Sequence, residues 1–299
     1  MTDIKLLLDT DIGSDIDDAL CLCYLLSNPR CELMGITTVT GQSEKRAELA
    51  YQICCASGHS NIPVFPGASE PIQGTQRQPE AQLASQLNAD RFNDTSCPDE
   101  AIDFLYETIS RHPGEITLLS IGPLTNIALL FNRYPESARL LKELILMCGV
   151  FHYKLPGLEN MDCEWNASVD PVASSIVYNT WVPTHRSVGL DVTCQVVMPK
   201  EIARKHFEVK SLRAILPLID RFTYHDCITF HDPLAAVSIF DKKVCSFTKG
   251  RVTIDDTTDN IRGKTVWTAG QPHIHEVADE VDTHSFFSNF FETLGCTLN

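Results

Sequence analysis

Positive charge is scarce in this sequence, which has 24 lysines and arginines against 39 aspartates and glutamates and a formal net charge of −15. A surface that follows the phosphates of nucleic acid, or that binds an anionic membrane, needs clustered basic residues. We therefore expect neither nucleic acid nor a membrane as a partner. The sequence also lacks any apolar run near the roughly 20 residues that span a bilayer.

None of the twelve cysteines belongs to a C-x-x-C pair, and the first residues, MTDIK, lack the basic region and small-residue cleavage site of a secretory signal. The cysteines are scattered through apolar runs, as small core residues are. We therefore expect reduced thiols rather than a disulfide framework, and a cytoplasmic protein.

Apolar residues make up 43% of the 299 residues, which is enough for a sizeable core. Strand-like runs alternate with helical patterns through the first two thirds of the chain. This order predicts an α/β fold with an open, mostly parallel sheet and helices on both faces. No internal repeat and no clear linker divides the sequence, so we predict one domain over residues 1–299. The polar connection 66–98 is long enough to be a lid or a binding loop.

The stretch Leu6–Leu26, LLLDTDIGSDIDDALCLCYLL, organises the rest of the chain. It holds five carboxylates between a strand-like run and a buried helix: Asp9, Asp11, Asp15, Asp17 and Asp18. One aspartate suffices to cap a helix, and the mutual repulsion of five must be offset. Hard divalent cations such as Ca²⁺ or Mg²⁺ take oxygen ligands, and open α/β sheets bind ligands where strands end. The pattern therefore predicts a cation site.

Two other metal-dependent loops compete with this interpretation. An EF-hand counted from Asp9 would need glycine at its sixth position and glutamate at its twelfth, but the twelfth residue is Leu20, so it fails. An aspartyl-phosphate phosphotransferase would use Asp9 or Asp11 as its nucleophile with Mg²⁺. The sequence shows no convincing later lysine and acidic pair for that chemistry, which stays an alternative.

Three further motifs each have a plain structural explanation. In His231-Asp232-Pro233 the aspartate is a good helix cap and the proline suits a first turn. Glu164-Trp165-Asn166 lies in an irregular segment between a strand and a helix, where exposed loop polarity would explain it. His273 and His275 have the spacing of metal ligands, but surface or core positions explain them better because no third ligand is obvious.

The order of the motifs is more specific than any one of them. DTDIGSDIDDA, SIGPLTN, CEWN leading to DP, GLDVT and HDP follow one another, beginning at Asp9, Ser120, Cys163, Gly189 and His231. In this order the sequence resembles the calcium-dependent nucleoside hydrolases of the inosine/uridine-preferring type, over nearly the whole chain. The resemblance implies an open, mostly parallel α/β sheet, a homodimer or homotetramer, and hydrolysis of the N-glycosidic bond of a ribonucleoside.

The resemblance also implies a role for particular residues. Ca²⁺ would be held by two loop aspartates, one backbone carbonyl and the HDP aspartate: Asp11, Asp18, Ile121 and Asp232. Asp11 would also be the general base for a calcium-bound water, and His231 would protonate the leaving nucleobase. The ribose would be bound by Asp17, Gln42, Asn160, Glu164 and Asn166. The physical chemistry is consistent, because a carboxylate-rich pocket stabilises an oxocarbenium-like state and direct attack by water implies inversion.

The sequence departs from the family pattern at four places. The acidic loop carries two extra residues before Asp17, which leaves Asp15 surplus, and Gln42 stands where many relatives have an asparagine. Leu158 occupies the position of another expected asparagine, with Asn160 displaced, and 66–98 contains no recognisable base-covering loop. We expect metal and ribose-diol chemistry to be retained. A purine, pyrimidine or modified nucleoside, another pentoside, and an inactive calcium- and sugar-binding relative all stay open.

Overall fold

A computed structural model of the chain describes residues 3–85, 92, 98–152, 155, 161, 163–221, 226–258, 262–270 and 274–296. Its strands are β1 Ile4–Thr10, β2 Cys31–Thr38, β3 Val64–Pro66, β4 Thr117–Ser120, β5 Glu143–Met147, β6 His185–Val188, β7 Val197–Pro199, β8 Cys227–Thr229, β9 Cys245–Asp255, β10 Lys264–Ala269 and β11 His275–Val281.

The α-helices are α1 Asp17–Ser27, α2 Ser43–Ala56, α3 Pro98–Arg111, α4 Thr125–Arg133, α5 Ser137–Leu140, α6 Trp165–Val169, α7 Pro171–Asn179, α8 Leu190–Thr193, α9 Lys200–His206, α10 Leu216–Arg221, α11 His231–Phe240 and α12 Thr283–Thr293. Two short 3₁₀ turns, Gln82–Ala84 and Lys210–Leu212, complete the described elements.

Nine of the strands form one sheet in the order β10-β9-β11-β6-β5-β4-β1-β2-β3. Six neighbouring pairs are parallel: β11-β6, β6-β5, β5-β4, β4-β1, β1-β2 and β2-β3. In contrast, β9 runs antiparallel to both β10 and β11. The small sheet β7-β8 is antiparallel. The mostly parallel α/β sheet predicted from the sequence is therefore confirmed.

Apolar layers cover both faces of this sheet, as a parallel sheet requires. Successive side chains of a strand point to opposite faces, and β1 shows the consequence: Leu6 and Leu8 belong to one core cluster and Leu7 to the other. The first cluster includes residues of α1, α2, α11 and α12, and the second includes residues of α3, α4 and α7. Runs such as LLL in β1 are apolar throughout because both faces are buried.

The chain order in the sheet reverses between β1 and β4, which are neighbours in space. Asp9 pairs with Ser120, and the amide of Ile121 donates to the carbonyl of Asp9 at 2.9 Å. The loops that follow these two strands therefore leave the sheet side by side. In open α/β sheets this reversal creates the crevice that binds ligands.

Some elements differ from the sequence-based expectations. The segment around Glu164 that was predicted to be irregular contains α6. The sequence also shows a helical pattern from Lys200 to about Tyr224; in the structure the 3₁₀ turn Lys210–Leu212 interrupts it, and 222–225 lie outside the described residues. The sequence also predicts a short strand at Arg251–Ile254, and the structure shows that this segment is the end of the longer β9. The described cysteines are free thiols, and no described helix has the length and apolarity to cross a membrane.

Candidate active site

A cavity of about 1140 Å³ opens beyond the carboxyl ends of β1 and β4. Most of the residues singled out from the sequence line it: Asp11, Asp17, Asp18, Ile121, Glu164, Asn166, His231 and Asp232. They come from four separate parts of the chain. The sheet therefore brings together residues that are up to 221 positions apart in sequence, from Asp11 to Asp232.

Three carboxylates at the starts of two helices meet in the floor of the cavity. Asp17 and Asp18 open α1, Asp232 lies in the first turn of α11, and an oxygen from each lies within 4.8 Å of the others. All three side chains are at most 5% exposed. Burial, and after it the neighbouring carboxylates, raise the pKa of each well above its usual range.

The protein itself offers this cluster few partners. Thr10 Oγ1 donates to Asp18 Oδ1 at 2.5 Å, and the amide of Asp232 reaches Asp17 Oδ2 at 3.4 Å. Across the described ranges, no lysine, arginine or histidine forms an ion pair with any of the three. Buried carboxylates are normally paired or bound to metal. A compact set of oxygen donors without a cationic side chain fits a hard divalent ion.

Arg46 of α2 holds the acidic loop from behind. Its side chain is fully buried, and Nη1 donates to the carbonyls of Asp11 and Ile12 and to Ser14 Oγ, while Nε donates to the carbonyl of Gly41 at 2.9 Å. Burial raises the pKa of Asp11 to about 6, and the nearby guanidinium of Arg46 opposes that rise. The two-residue-longer loop is thus braced so that Asp11 and the α1 carboxylates enter one cavity.

We did not identify Arg46 from the sequence, although a signal was present. On α2 it shares a helix face with Leu49, Ala50 and Ile53, at spacings of three, four and seven residues, and these are all buried. An arginine on the apolar face of a helix next to an acidic loop indicates a buried counter-charge. That pattern was hidden because Arg46 lies in a surface-like run, SEKRAEL, directly after Lys45.

The long connection after β3 packs on the acidic loop. The amide of Leu83 in the 3₁₀ turn donates to the carbonyl of Gly13 at 2.7 Å, and Gly13 has φ +112°, a conformation that favours glycine. Gln78 and Gln82 of the same connection line the cavity. Its described part therefore contributes to the site, as the sequence suggested for a binding loop.

Glu164 and Asn166 are buried, which excludes the interpretation as exposed loop polarity. The Glu164 carboxylate caps α6, accepting from the amides of Asn166 at 2.7 Å, Ala167 at 2.9 Å and Gly149 at 3.0 Å. Asn166 Nδ2 donates to the carbonyls of Ile121 and Met147, each at 2.9 Å. These bonds tie α6 to the ends of β4 and β5, and the Ile121 carbonyl already accepts one hydrogen bond.

His231 lies in the cavity wall with Nδ1 2.7 Å from Thr193 Oγ1 of the GLDVT motif. Burial lowers the pKa of His231 to about 4, so its ring is neutral at pH 7. Asp232 makes no helix cap: the cap position of α11 is Phe230, without a side-chain cap bond. His275 is a core residue whose Nδ1 accepts from the amide of Val252 at 2.8 Å, as the structural explanation of this histidine expected.

One of the predicted ribose contacts, Gln42, is not among the described residues that line this cavity. It has φ 57° at the start of α2, and its Oε1 accepts from the amide of Ala81 at 3.0 Å. Its amide thereby anchors the connection after β3. Asn160 lies outside the described residues.

The sequence profile of the inosine-uridine preferring nucleoside hydrolases matches residues 6–288. The chain belongs to this family. It is 32% identical to the inosine-uridine preferring nucleoside hydrolase of Leishmania major over 84% of this chain and 82% of that protein. It is 28% identical to the enzyme of the same description from Crithidia fasciculata over 97% of each chain. The sequence-based prediction of a nucleoside hydrolase, and with it of an N-glycosidase, is confirmed.

Solved structures of nucleoside hydrolases share the fold. A plant nucleoside hydrolase superposes with a TM-score of 0.83 and 24% identity, covering 97% of this chain and 98% of that one. The purine-preferring ribonucleoside hydrolase of Gardnerella vaginalis gives 0.82 and 24% over the same shares. The nucleoside hydrolase fold therefore extends over almost the entire chain.

Proposed function

We propose that this protein hydrolyses the N-glycosidic bond of a ribonucleoside, releasing ribose and a free nucleobase, with Ca²⁺ as its metal. One observation carries the proposal: three buried carboxylates from two helix starts converge in the cavity floor, and no lysine, arginine or histidine among the described residues forms an ion pair with them. Family membership supports the reaction, and relatives described as inosine-uridine preferring hydrolases or uridine nucleosidases support the substrate class.

Asp18 and Asp232 would hold the ion together with Asp11 and the carbonyl of Ile121. Asp17 lies within the same carboxylate cluster, within reach of either the ion or a sugar hydroxyl beside it. A bound divalent cation supplies Lewis acidity and a fixed anchor for water and sugar hydroxyls. Oxygen-only donors and net negative charge suit calcium better than softer metals.

The residues of the chain then divide the remaining work. Asp11 accepts the proton of the attacking water as its oxygen approaches the anomeric carbon. Asp17 binds ribose hydroxyls, and the surrounding carboxylates stabilise the positive charge that develops on the sugar ring. Glu164 and Asn166 form the wall on the 5′ side. Direct attack by water gives inversion at the anomeric carbon.

The departing base needs a proton at its ring nitrogen, and His231 is the proposed donor. Because burial lowers the pKa of the free ring, the imidazole has to be protonated in the substrate complex to act as this acid. Thr193 fixes the imidazole through Nδ1, so the other ring nitrogen is the one left to face a base. In this proposal the proton donor and Asp232 are consecutive residues at the start of α11, with His231 acting on the leaving group and Asp232 on the sugar side.

A ribose-release assay over a nucleoside panel tests the proposal, with and without a calcium chelator. Asp11→Asn is expected to lower turnover by on the order of a thousandfold or more, because it removes a metal ligand and the general base together. Asp220→Asn, an exposed aspartate paired with Arg204, is the matched control and should retain activity. Full activity of Asp11→Asn would end the assignment, and full activity in chelator would end the role of calcium.

The predicted homodimer or homotetramer and the cytoplasmic location stay predictions. Light scattering of the purified protein measures the first directly, with a monomer as the contradicting result. Fractionation of the source cells measures the second.

A further inference from the structure

Two arginines line the same cavity as the acidic cluster. Arg77 comes from the connection after β3 and Arg262 from the turn before β10, and both border the short helix α6. Arg77 Nη1 donates to the carbonyl and hydroxyl of Ser168 at 3.0 and 3.1 Å. The carbonyl of Arg262 accepts from Cys163 Sγ at 3.3 Å, which fixes its backbone beside the start of the same helix.

Most hydrogen-bond donors of these two guanidinium groups are not used by the described protein. An arginine carries five N–H donors. Arg77 uses Nη1 only, and Arg262 uses Nε, which donates to the carbonyl of Asp256 at 3.0 Å. Within the described ranges neither arginine forms an ion pair with a carboxylate. In a chain with 39 acidic side chains, two arginines at one cavity that pair with none of the described carboxylates need an explanation.

Neutralising the acidic floor does not provide that explanation. The basic residue that contacts the acidic loop is Arg46, which lies inside the protein. Arg77 is solvent-exposed and lies instead over the ring of Trp165, with its guanidinium carbon 4.8 Å from the ring centroid. Stacking on an aromatic face holds a guanidinium in one plane, which prepares it to bind an anion with two parallel hydrogen bonds.

We propose that this arginine pair selects nucleosides that carry a negatively charged substituent, and that it binds that group at the mouth of the cavity. The inference rests on the proposed function and narrows its substrate class. Phosphate and carboxylate are the planar or tripodal oxygen anions that arginine binds bidentately. The charge could be a phosphate on the 5′ carbon of the sugar or a carboxylate on the base, and both sources share this chemistry.

Steady-state kinetics on three matched substrates separate the sources: uridine, uridine 5′-monophosphate and orotidine, which is uridine with a carboxylate on the base. The wild type is expected to show a kcat/KM at least tenfold higher for one anionic substrate than for uridine, and the preferred substrate identifies the source. Arg77→Gln and Arg262→Gln should each lower that ratio about tenfold. Arg111→Gln, an exposed arginine at the end of α3 paired with Glu107, should leave it unchanged.

Calorimetric binding of ribose, ribose 5-phosphate, uracil and orotate gives a readout that is independent of turnover. The anionic member of one pair should bind at least tenfold more tightly than the neutral member, and added salt should shrink the difference because the site is exposed. If uridine is hydrolysed but neither anionic compound is preferred or bound more tightly, this inference is wrong and the proposed function stands. If neither these three substrates nor any member of the nucleoside panel releases its free base, the proposed function itself fails.

Discussion

The cavity contains two kinds of buried carboxylate that differ in what surrounds them. Glu164 is 3% exposed and accepts three backbone N–H groups, so its charge is satisfied by the protein. Asp232 is 4% exposed and faces Asp17 and Asp18 instead. Among the described residues, no N–H or O–H group donates a hydrogen bond to its carboxylate oxygens. Both carboxylates stand near the start of a helix.

This difference indicates that Glu164 stabilises the fold, whereas Asp232 is available to bind a metal ion. A charge taken out of water is costly unless hydrogen bonds or an opposite charge replace the solvent. Backbone amides do so for Glu164, which therefore needs no ligand to be stable. The aspartate cluster is stable as a set of anions only with a cation present, which is why binding of a divalent ion should stabilise the fold.

The largest effect is expected from Asp232→Asn. The substitution keeps the shape and removes one charge from the unpaired cluster, so Ca²⁺ binding and ribose release should fall, the latter by on the order of a thousandfold. In chelator the variant should be at least as stable as the wild type, because the repulsion with Asp17 and Asp18 is reduced. Thermal melts with and without Ca²⁺ measure both effects.

Saturating Ca²⁺ at 100 times its Kd should raise the wild-type free energy of unfolding by about 2.7 kcal/mol. Asp220→Asn, which carries the same chemical change on the exposed surface, should keep that gain. If Asp232→Asn gained as much as the wild type, Asp232 would not be a ligand, and the distinction between the two kinds of carboxylate would lose its main support.

Glu164→Gln should have a smaller effect than Asp232→Asn, and it should lower the stability of the fold rather than the binding of Ca²⁺. Glutamine retains one acceptor oxygen but turns an NH₂ group toward backbone N–H donors, so the fold should lose about 1–3 kcal/mol of unfolding free energy. Because this loss comes from a cap and not from the metal, it should be the same in Ca²⁺ and in chelator. Chemical denaturation under both conditions measures it.

Glu208→Gln, at an exposed position, serves as the control and should change stability little. A loss seen only in the presence of Ca²⁺ would contradict the structural role of Glu164. It would move this carboxylate into the same class as the aspartate cluster.

The sequence predicted those parts of the fold and of the site in which several consecutive residues share one property, such as burial or negative charge. The apolar run of β1, the acidic loop and the start of α11 were located correctly, because burial on both faces and a cluster of like charges both leave a local pattern. The order of five motifs was enough to identify the family. The first three features are local patterns in the sequence, and the family is indicated by five different motifs that follow one another in a fixed order.

Roles that depend on the long-range contacts of one side chain were not predicted. Arg46 contacts a loop about 32 positions away through one guanidinium group, and no neighbouring residue repeats the signal. The three amide bonds that make Glu164 a cap depend on α6, a helix of five residues too short for a periodic pattern. Gln42 was aligned by its neighbours, but a left-handed backbone at that residue and a bond to Ala81 place it elsewhere.

The buried side chain of His185 can be compared with the two kinds of buried carboxylate, because it can be uncharged. Both ring nitrogens of His185 on β6 are buried and have no hydrogen-bond partner among the described residues, and the ring stacks on Tyr178 with a centroid distance of 5.2 Å. Burial, and after it the neighbouring His275, lower the pKa of His185 well below its usual value. Such a histidine is tolerated where a bare carboxylate is not, because it can stay uncharged at pH 7.

The pH dependence of the free energy of unfolding should show whether the ring of His185 is uncharged in the folded protein. Below about pH 6.5 the unfolded chain binds a proton at His185 that the folded chain does not, so the free energy of unfolding falls as the pH is lowered, by up to about 1.4 kcal/mol per pH unit for one such group. His185→Phe keeps a ring against Tyr178 and removes this proton, so its stability should fall less steeply between pH 6.5 and 5. His284→Gln, which removes an exposed histidine of α12, should keep the wild-type slope. Denaturant titrations at half-unit intervals measure the three slopes, and a His185→Phe slope equal to the wild type would show that this ring is protonated in the folded protein.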